Sequence, residues 1–359
     1  MSLCLSARRL VAACLLGASL LPLSASIAAE PSHAPAVSGT GGSSATRVLT
    51  QWNFAFAKQT GIQVTFVPAT SDVGIREMIA HKANFGSTEI PLSAEELKKN
   101  DLIQFPLLIG GVVVIVNLPG IGPGTLRLTP NLISRIFLGE IRVWNDADIS
   151  AANPDLALPR LPIQLFARET AASTTLALTT FLAKTDKTWA ARVGPSKLPK
   201  WPAPTQPVAS VMAMGEQVAA TRGAIGYINF DEAYRKKLSY TQIRNRSGNF
   251  VTPSRESIHS ATIPSGLGRS ADHVPDLIDV AGTGLWPIVE VTYVLLDQKP
   301  KSVERARSTL RFFYWAFLQG DQMAAETGFV PLPSASQARV VGRFGDVIGP
   351  DRQPVDFLR

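Results

Sequence analysis

The chain has 359 residues, 45% of them hydrophobic and 18% charged, with a net charge of +7. That is ordinary globular composition, long enough for one large domain or two medium ones, and it holds no internal repeat or low-complexity tract. The basic residues are scattered, with no Lys/Arg block interleaved with aromatics, which argues against a nucleic-acid partner.

In chain order, Arg8 and Arg9 precede an apolar run over residues 10–23, and small residues close the segment at Ser26-Ile27-Ala28-Ala29. This charged, apolar, small-residue order is that of a secretory signal peptide over residues 1–28. The run is shorter than the roughly 20 residues a membrane span needs. The Arg pair lacks the rest of a twin-arginine signal, and a lipoprotein box at Val11-Ala12-Ala13-Cys14 would leave almost no apolar core before it. Both cysteines, Cys4 and Cys14, fall in this segment, so a mature chain would have no disulfide and must be held by its core. The expected location is the periplasm, or the medium.

Residues 29–36 read as a flexible leader. A Ser/Thr/Gly-rich turn at residues 39–44 opens a helical pattern to about residue 58 that carries Val48, Leu49, Trp52, Phe54 and Phe56, with Gly61 as its stop. Residues 62–67 alternate like a strand. Thr70-Ser71-Asp72 opens a helix to about residue 82, residues 84–90 are a short strand or turn, and Ser93-Ala94-Glu95-Glu96 is a capping box. The β-branched run over residues 105–117 suits a strand buried on both faces. Within it, Gly110-Gly111 lets the backbone bend or be approached closely.

Thr129-Pro130 starts a helix to residue 138. A strand over 161–167, helices over 173–184 and 208–220, strands over 226–230 and 288–296, and a long helix over 300–319 complete the pattern. Strands alternate with helices, which predicts α/β layers.

One arrangement recurs: a strand runs into a hydroxyl- or glycine-rich turn that opens a helix, at residues 39–44, 70–74 and 168–175. Each helix start offers unpaired N–H groups and the positive end of a dipole. Three such ends at one point would cradle a tetrahedral anion, and Arg168 could hold it through two parallel charge-assisted hydrogen bonds. Singly, each Ser or Thr there is as well explained by helix capping. His33, His81, His259 and His273 lack metal-ligand spacing, so no metal or cofactor is expected. No phosphate-loop motif of nucleotide hydrolases and no Gly-x-Ser-x-Gly elbow is present. Asp146, Asp148, Glu95 and Glu96 read as helix-start charges.

Several stretches together resemble the periplasmic phosphate-binding proteins of ABC importers. They are Phe85-Gly86-Ser87-Thr88-Glu89-Ile90-Pro91-Leu92-Ser93, Gln104-Phe105-Pro106-Leu107-Leu108-Ile109-Gly110-Gly111, Ile136-Phe137-Leu138-Gly139-Glu140-Ile141, Gly223-Ala224-Ile225-Gly226-Tyr227 and Trp286-Pro287-Ile288. The resemblance runs from about residue 37 to at least residue 333. It implies an α/β, two-lobed periplasmic-binding-protein fold of type II-like form. Each lobe would be a mixed, mainly parallel sheet flanked by helices, with a hinge between the lobes. Lobe I would hold residues 37–113 and 288–359 and lobe II residues 114–287, with crossings near 110–118 and 285–292.

Carried over by position, the family's first-helix threonine falls on Ser43, its neighbouring aromatic on Ser44, its second-helix serine on Ser71 and its aspartate on Glu89. Its arginine is Arg168. The family motif Arg-x-Asp-x-Ser-Gly-Thr reads here Arg168-Glu169-Thr170-Ala171-Ala172-Ser173-Thr174, so Thr170 replaces the aspartate, Ala172 the serine and Ser173 the glycine, while Thr174 is retained. The implied ligand set is Ser43, Ser44, Ser71, Glu89, Arg168, Thr170, Ser173 and Thr174.

The resemblance implies a non-enzymatic monomer that captures inorganic phosphate or a similar oxyanion for an inner-membrane ABC permease. The changed motif leaves open a paralogue that binds another small anion or acts as a secreted or sensory protein. A phosphate-ester hydrolase stands against the lack of a nucleophile–base pair or metal cluster. A purely structural exported protein also remains open.

Overall fold

The computed structural model describes residues 36–267 and 274–358. The expected signal peptide with Cys4 and Cys14, the leader as far as residue 35, His33 and His273 lie outside the described residues.

The first strand, β1 (Val37–Gly42), feeds a short 3-10 turn at Ser43–Ala45 and then helix α1 (Thr46–Thr60). Gly39 to Gly42, expected in a turn, are therefore strand residues, and the turn starts only at Ser43. Helix α1 buries Val48, Leu49, Trp52 and Phe56, the three-and-four spacing of one helical face. Phe54, part of the apolar pattern in the sequence, is 75% exposed. It stands two residues from both Trp52 and Phe56, and positions two apart do not share a helix face.

Strand β2 (Val64–Ala69) leads to α2 (Ser71–Ile79), and β3 (Phe85–Thr88) follows. Helix α2 stops short of the expected residue 82, and His81 takes a left-handed φ of 53°. The capping box of Ser93 and Glu96 forms as its sequence predicts, at the start of α3 (Ala94–Lys99). Strand β4 runs 15 residues, Leu102–Val116, nearly all of them buried.

The large sheet is 10-stranded, its main path running β2, β1, β3, the strand Val289–Asp297, β4, then Ala224–Asn229, Gln164–Arg168 and Gln206–Val208. Strand β4 changes partner midway. From Leu102 to Gly111 it lies antiparallel to Val289–Asp297, and from Val112 to Val116 antiparallel to Ala224–Asn229. The parallel pairs flank this antiparallel middle, with β1 against β2 and β3 on one side and Gln164–Arg168 against Ala224–Asn229 and Gln206–Val208 on the other. The mixed α/β sheet implied by the sequence is thus present, arranged as two parallel flanks joined by long antiparallel strands. At the change of partner, a Cβ on Gly111 would sit 3.0 Å from Ile258 and 3.2 Å from Trp286, so the glycine serves close packing.

Val208, expected at the start of a helix, ends a strand instead. The helix begins at Val211 because Ser210 accepts the Ala213 N–H and caps it there. The longest helix, Val303–Gln319, buries Phe312, Phe313 and Phe317. Phe313 meets Phe85 and Phe105 edge-on at 5.2 and 5.5 Å, and Phe312 meets Phe56 at 5.4 Å. Each fully buried Phe contributes about 1.5–3 kcal/mol, so this cluster fastens α1, β3 and β4 behind the strand ends. No helix among the described residues is long and apolar enough to cross a membrane.

Candidate functional site

Three helix starts meet at one cavity. Its wall takes Gly42 to Ser44 ahead of α1, Thr70 to Asp72 at α2, and Ala171 to Thr174 at the helix Ser173–Thr185. Two of these starts, after Gly42 and after Ala172, have no side chain capping them, while Thr70 caps α2 by accepting the Val73 N–H at 3.4 Å. The hydroxyls of Ser43, Ser44, Ser173 and Thr174 are therefore not spent as caps. The cavity measures about 50 Å³. One water needs about 10–15 Å³ by the same measure, so the space suits an ion of four or so oxygens.

On the first wall Glu89 is the centre. One of its oxygens accepts from Ser44 Oγ, the other from Ser71 Oγ at 2.7 Å, and its own N–H donates to Ser71 Oγ at 3.2 Å. A Cβ at Gly42 would lie 2.2 Å from Glu89 Oε2, so a side chain there would push this carboxylate aside. Ser71 is 5% exposed, whereas Ser43 stands at the exposed rim. The hydroxyls of Ser44 and Ser71 thus point at Glu89, because a carboxylate is the strongest acceptor within their reach.

On the second wall Arg168 ends its strand half-buried. Its Nη2 donates to Ala209 O at 2.8 Å and to Thr170 Oγ1 at 3.1 Å. Its Nε is buried and has no hydrogen-bond partner among the described residues. Burial pushes the pKa of Arg168 down from the usual arginine value, the cost of holding an incompletely paired cation away from water. Tyr227 fixes the backbone there: its hydroxyl accepts the Arg168 N–H at 3.2 Å and bonds Thr175 Oγ1 at 2.8 Å. Thr174 is 3% exposed.

Seven of the eight residues singled out in the sequence, Ser43, Ser44, Ser71, Glu89, Arg168, Ser173 and Thr174, line this one cavity. Thr170 does not. It is exposed, and its hydroxyl steadies the guanidinium from outside, as a neutral substitute for an orienting carboxylate. The structure adds Asp72, Lys197 and Asn229 to the wall. Lys197 Nζ bonds both Asp72 oxygens, at 2.7 and 2.9 Å, and joins α2 to the loop after residue 192. In the sequence Asp72 appears only as part of the turn that opens a helix, and nothing around Lys197 announces a partner 125 residues away. Asn229, at a strand end, carried no motif.

A family model described as a PBP superfamily domain matches residues 26–319. A relative named phosphate-binding protein PstS, from Xylella fastidiosa, is 36% identical over 310 residues, covering 85% of this chain and 84% of the relative. The chain belongs to the PstS family of phosphate-binding proteins. A further PstS, from Haemophilus influenzae, is 33% identical over 302 residues, 84% of this chain and 90% of that one. Among solved structures, a high affinity periplasmic phosphate-binding protein bound with phosphate shares the fold, with a TM-score of 0.68 at 19% identity over 86% of this chain and 94% of that one. The positions where the resemblance implies a changed residue, Ser44, Glu89, Ala172 and Ser173, line the cavity, and Thr170 touches its arginine.

Proposed function

We propose that this chain is an exported solute-binding protein that captures inorganic phosphate in the Arg168 cavity and delivers it to an inner-membrane ABC permease. The observation that carries the reading is the buried, unpartnered Arg168 Nε among two uncapped helix starts in a space of four-oxygen size. The relatives named phosphate-binding protein PstS point the same way. Export is supported by the signal-peptide pattern of residues 1–28 and by a structural neighbour described as periplasmic.

In this reading Arg168 neutralises the anion, and Ser43, Ser173, Thr174 and the N–H groups around them donate to its oxygens. Glu89 accepts the proton that hydrogen phosphate carries. A carboxylate has about four lone-pair positions, and Ser44 and Ser71 use two of Glu89's, which leaves acceptor capacity for the ligand. Sulfate has no proton to offer at neutral pH and meets repulsion at the same carboxylate. Residues 37–113 with 288–359, and 114–287, act as two lobes, a division supported by the change of partner of β4 after Gly111. The anion binds the closed arrangement better than the open one, and that differential affinity drives closure.

Titration calorimetry with phosphate and with sulfate at fixed ionic strength tests the reading. Tight phosphate binding with sulfate much weaker is expected; equal affinity for the two would remove Glu89's role. A second reading, another small oxyanion, is favoured by the loss of a hydroxyl at Ala172. Phosphate retained through purification decides for the first reading, and a different anion retained decides for the second.

A further inference from the structure

A second carboxyl group stands directly behind the cavity. Glu290 lies on the strand Val289–Asp297, opposite Gly110 of β4, and is 8% exposed. Asn229 Nδ2 donates to Glu290 Oε2 at 3.1 Å, and Asn229, itself 5% exposed, is part of the wall of the Arg168 cavity. Glu290 and Glu89 also line a common neighbouring cavity of about 170 Å³, and Ser173 belongs to the walls of both cavities. One side chain therefore separates Glu290 from the space assigned to the anion, on two independent sides.

We propose that Glu290 is a positioning residue of the anion site: through its bond to Asn229 it holds the wall of the Arg168 cavity from behind, and its own charge tunes how strongly that wall takes an anion. The inference rests on the phosphate reading above and deepens it. Among the described residues, Glu89, Asp231, Asn229 and Ser173 act on the Glu290 carboxyl, and Asp276 and Tyr293 line the same neighbouring cavity. Asp231 is itself buried, which pushes its pKa up to about 7. Burial first, then the charges of Glu89 and Asp231, push its pKa up to about 8, while Asn229 and Ser173 oppose the rise. Glu290 is thus protonated at neutral pH and ionises as the pH climbs past that value. Ionisation sets a further negative charge behind the anion, which must weaken binding. By linkage, binding of the anion raises Glu290's pKa further and draws a proton in.

The test is calorimetry with inorganic phosphate on wild type and Glu290→Gln, from about pH 7 to about pH 9, at constant ionic strength. Glutamine keeps the acceptor that Asn229 uses, and circular dichroism checks the fold; Glu290→Asn supplies a second neutral variant. Because the ligand's own titration is common to all three proteins, the ratio of their dissociation constants isolates Glu290. The expected result is similar affinity near pH 7 and a wild type weakened about fivefold relative to both variants near pH 9, where one pKa unit of coupling has delivered about half of its full tenfold effect. Wild-type binding should also take up more protons than variant binding, read from two buffers of different ionisation heat. Wild type and variants that bind phosphate with parallel pH curves overturn this inference alone. A wild type that binds no phosphate at any pH overturns the phosphate reading and this inference with it.

Discussion

The two walls of the cavity are finished to different degrees. Around Glu89 the side chains already satisfy one another: Ser44, Ser71 and the Glu89 N–H form a closed set of hydrogen bonds, with Gly42 shaped to fit it. Around Arg168 they do not. The guanidinium has a neutral threonine and one carbonyl for company, and its Nε has no partner among the described residues. A wall of the first kind is built to stay as it is and to offer an acceptor of fixed direction. A wall of the second kind leaves donors for something else to satisfy. In the phosphate reading, selection falls to the first wall and attraction to the second.

The sharpest way to break this comparison is Arg168→Ala. Removing one partner of a desolvated, hydrogen-bonded charge pair costs about 2–5 kcal/mol, so phosphate affinity should fall by at least about thirtyfold in calorimetry. An unchanged affinity would take the guanidinium out of the site. A smaller and opposite effect is expected from Ala172→Ser, which returns a hydroxyl to the unfinished wall. One charged hydrogen bond contributes roughly 1.5 kcal/mol at the low end, so phosphate should bind about tenfold more tightly. Weaker binding would mean that the wall has no room or no use for the donor. The smallest effect belongs to Lys197→Ala. Its bond to Asp72 spans the two walls, but both side chains are about 40% exposed, and exposed pairs contribute about 0–1 kcal/mol. Affinity should change less than about fivefold, and any change should shrink further at high salt.

Much of the molecule was legible in its sequence where local chemistry decides the outcome. The capping box at Ser93, the Thr129-Pro130 helix start and the long buried run of β4 all formed where the residues predict them. Errors came where a neighbour outvoted the pattern. Val208 joined a strand because Gln164–Arg168 offered it an edge, and Phe54 faced outward because helix geometry left it on the wrong side. The cavity was legible as a set of residue types, since the turns at Ser43, Thr70 and Ser173 announce helix starts one by one. Which hydroxyl bonds which group was not. That Ser44 turns to Glu89, 45 positions on, and that Glu290 stands behind Asn229, 61 positions away, depend on contacts that no local spacing encodes. Thr170 is only two positions from Arg168, but whether its hydroxyl faces the cavity or the guanidinium is set by how the turn folds.

The sheet also imposes an order of events on a newly made chain. Tyr293 pairs with Thr88 and Leu295 with Gly86, so the edge of β3 has no partner until the strand Val289–Asp297 has been synthesised. At about 5–20 residues per second that wait lasts roughly 10–40 s. Through it, one side of β3 and most of β4 offer unmatched N–H and C=O groups to any passing strand. The nascent polypeptide therefore cannot close this part of its sheet until the later strand has been made.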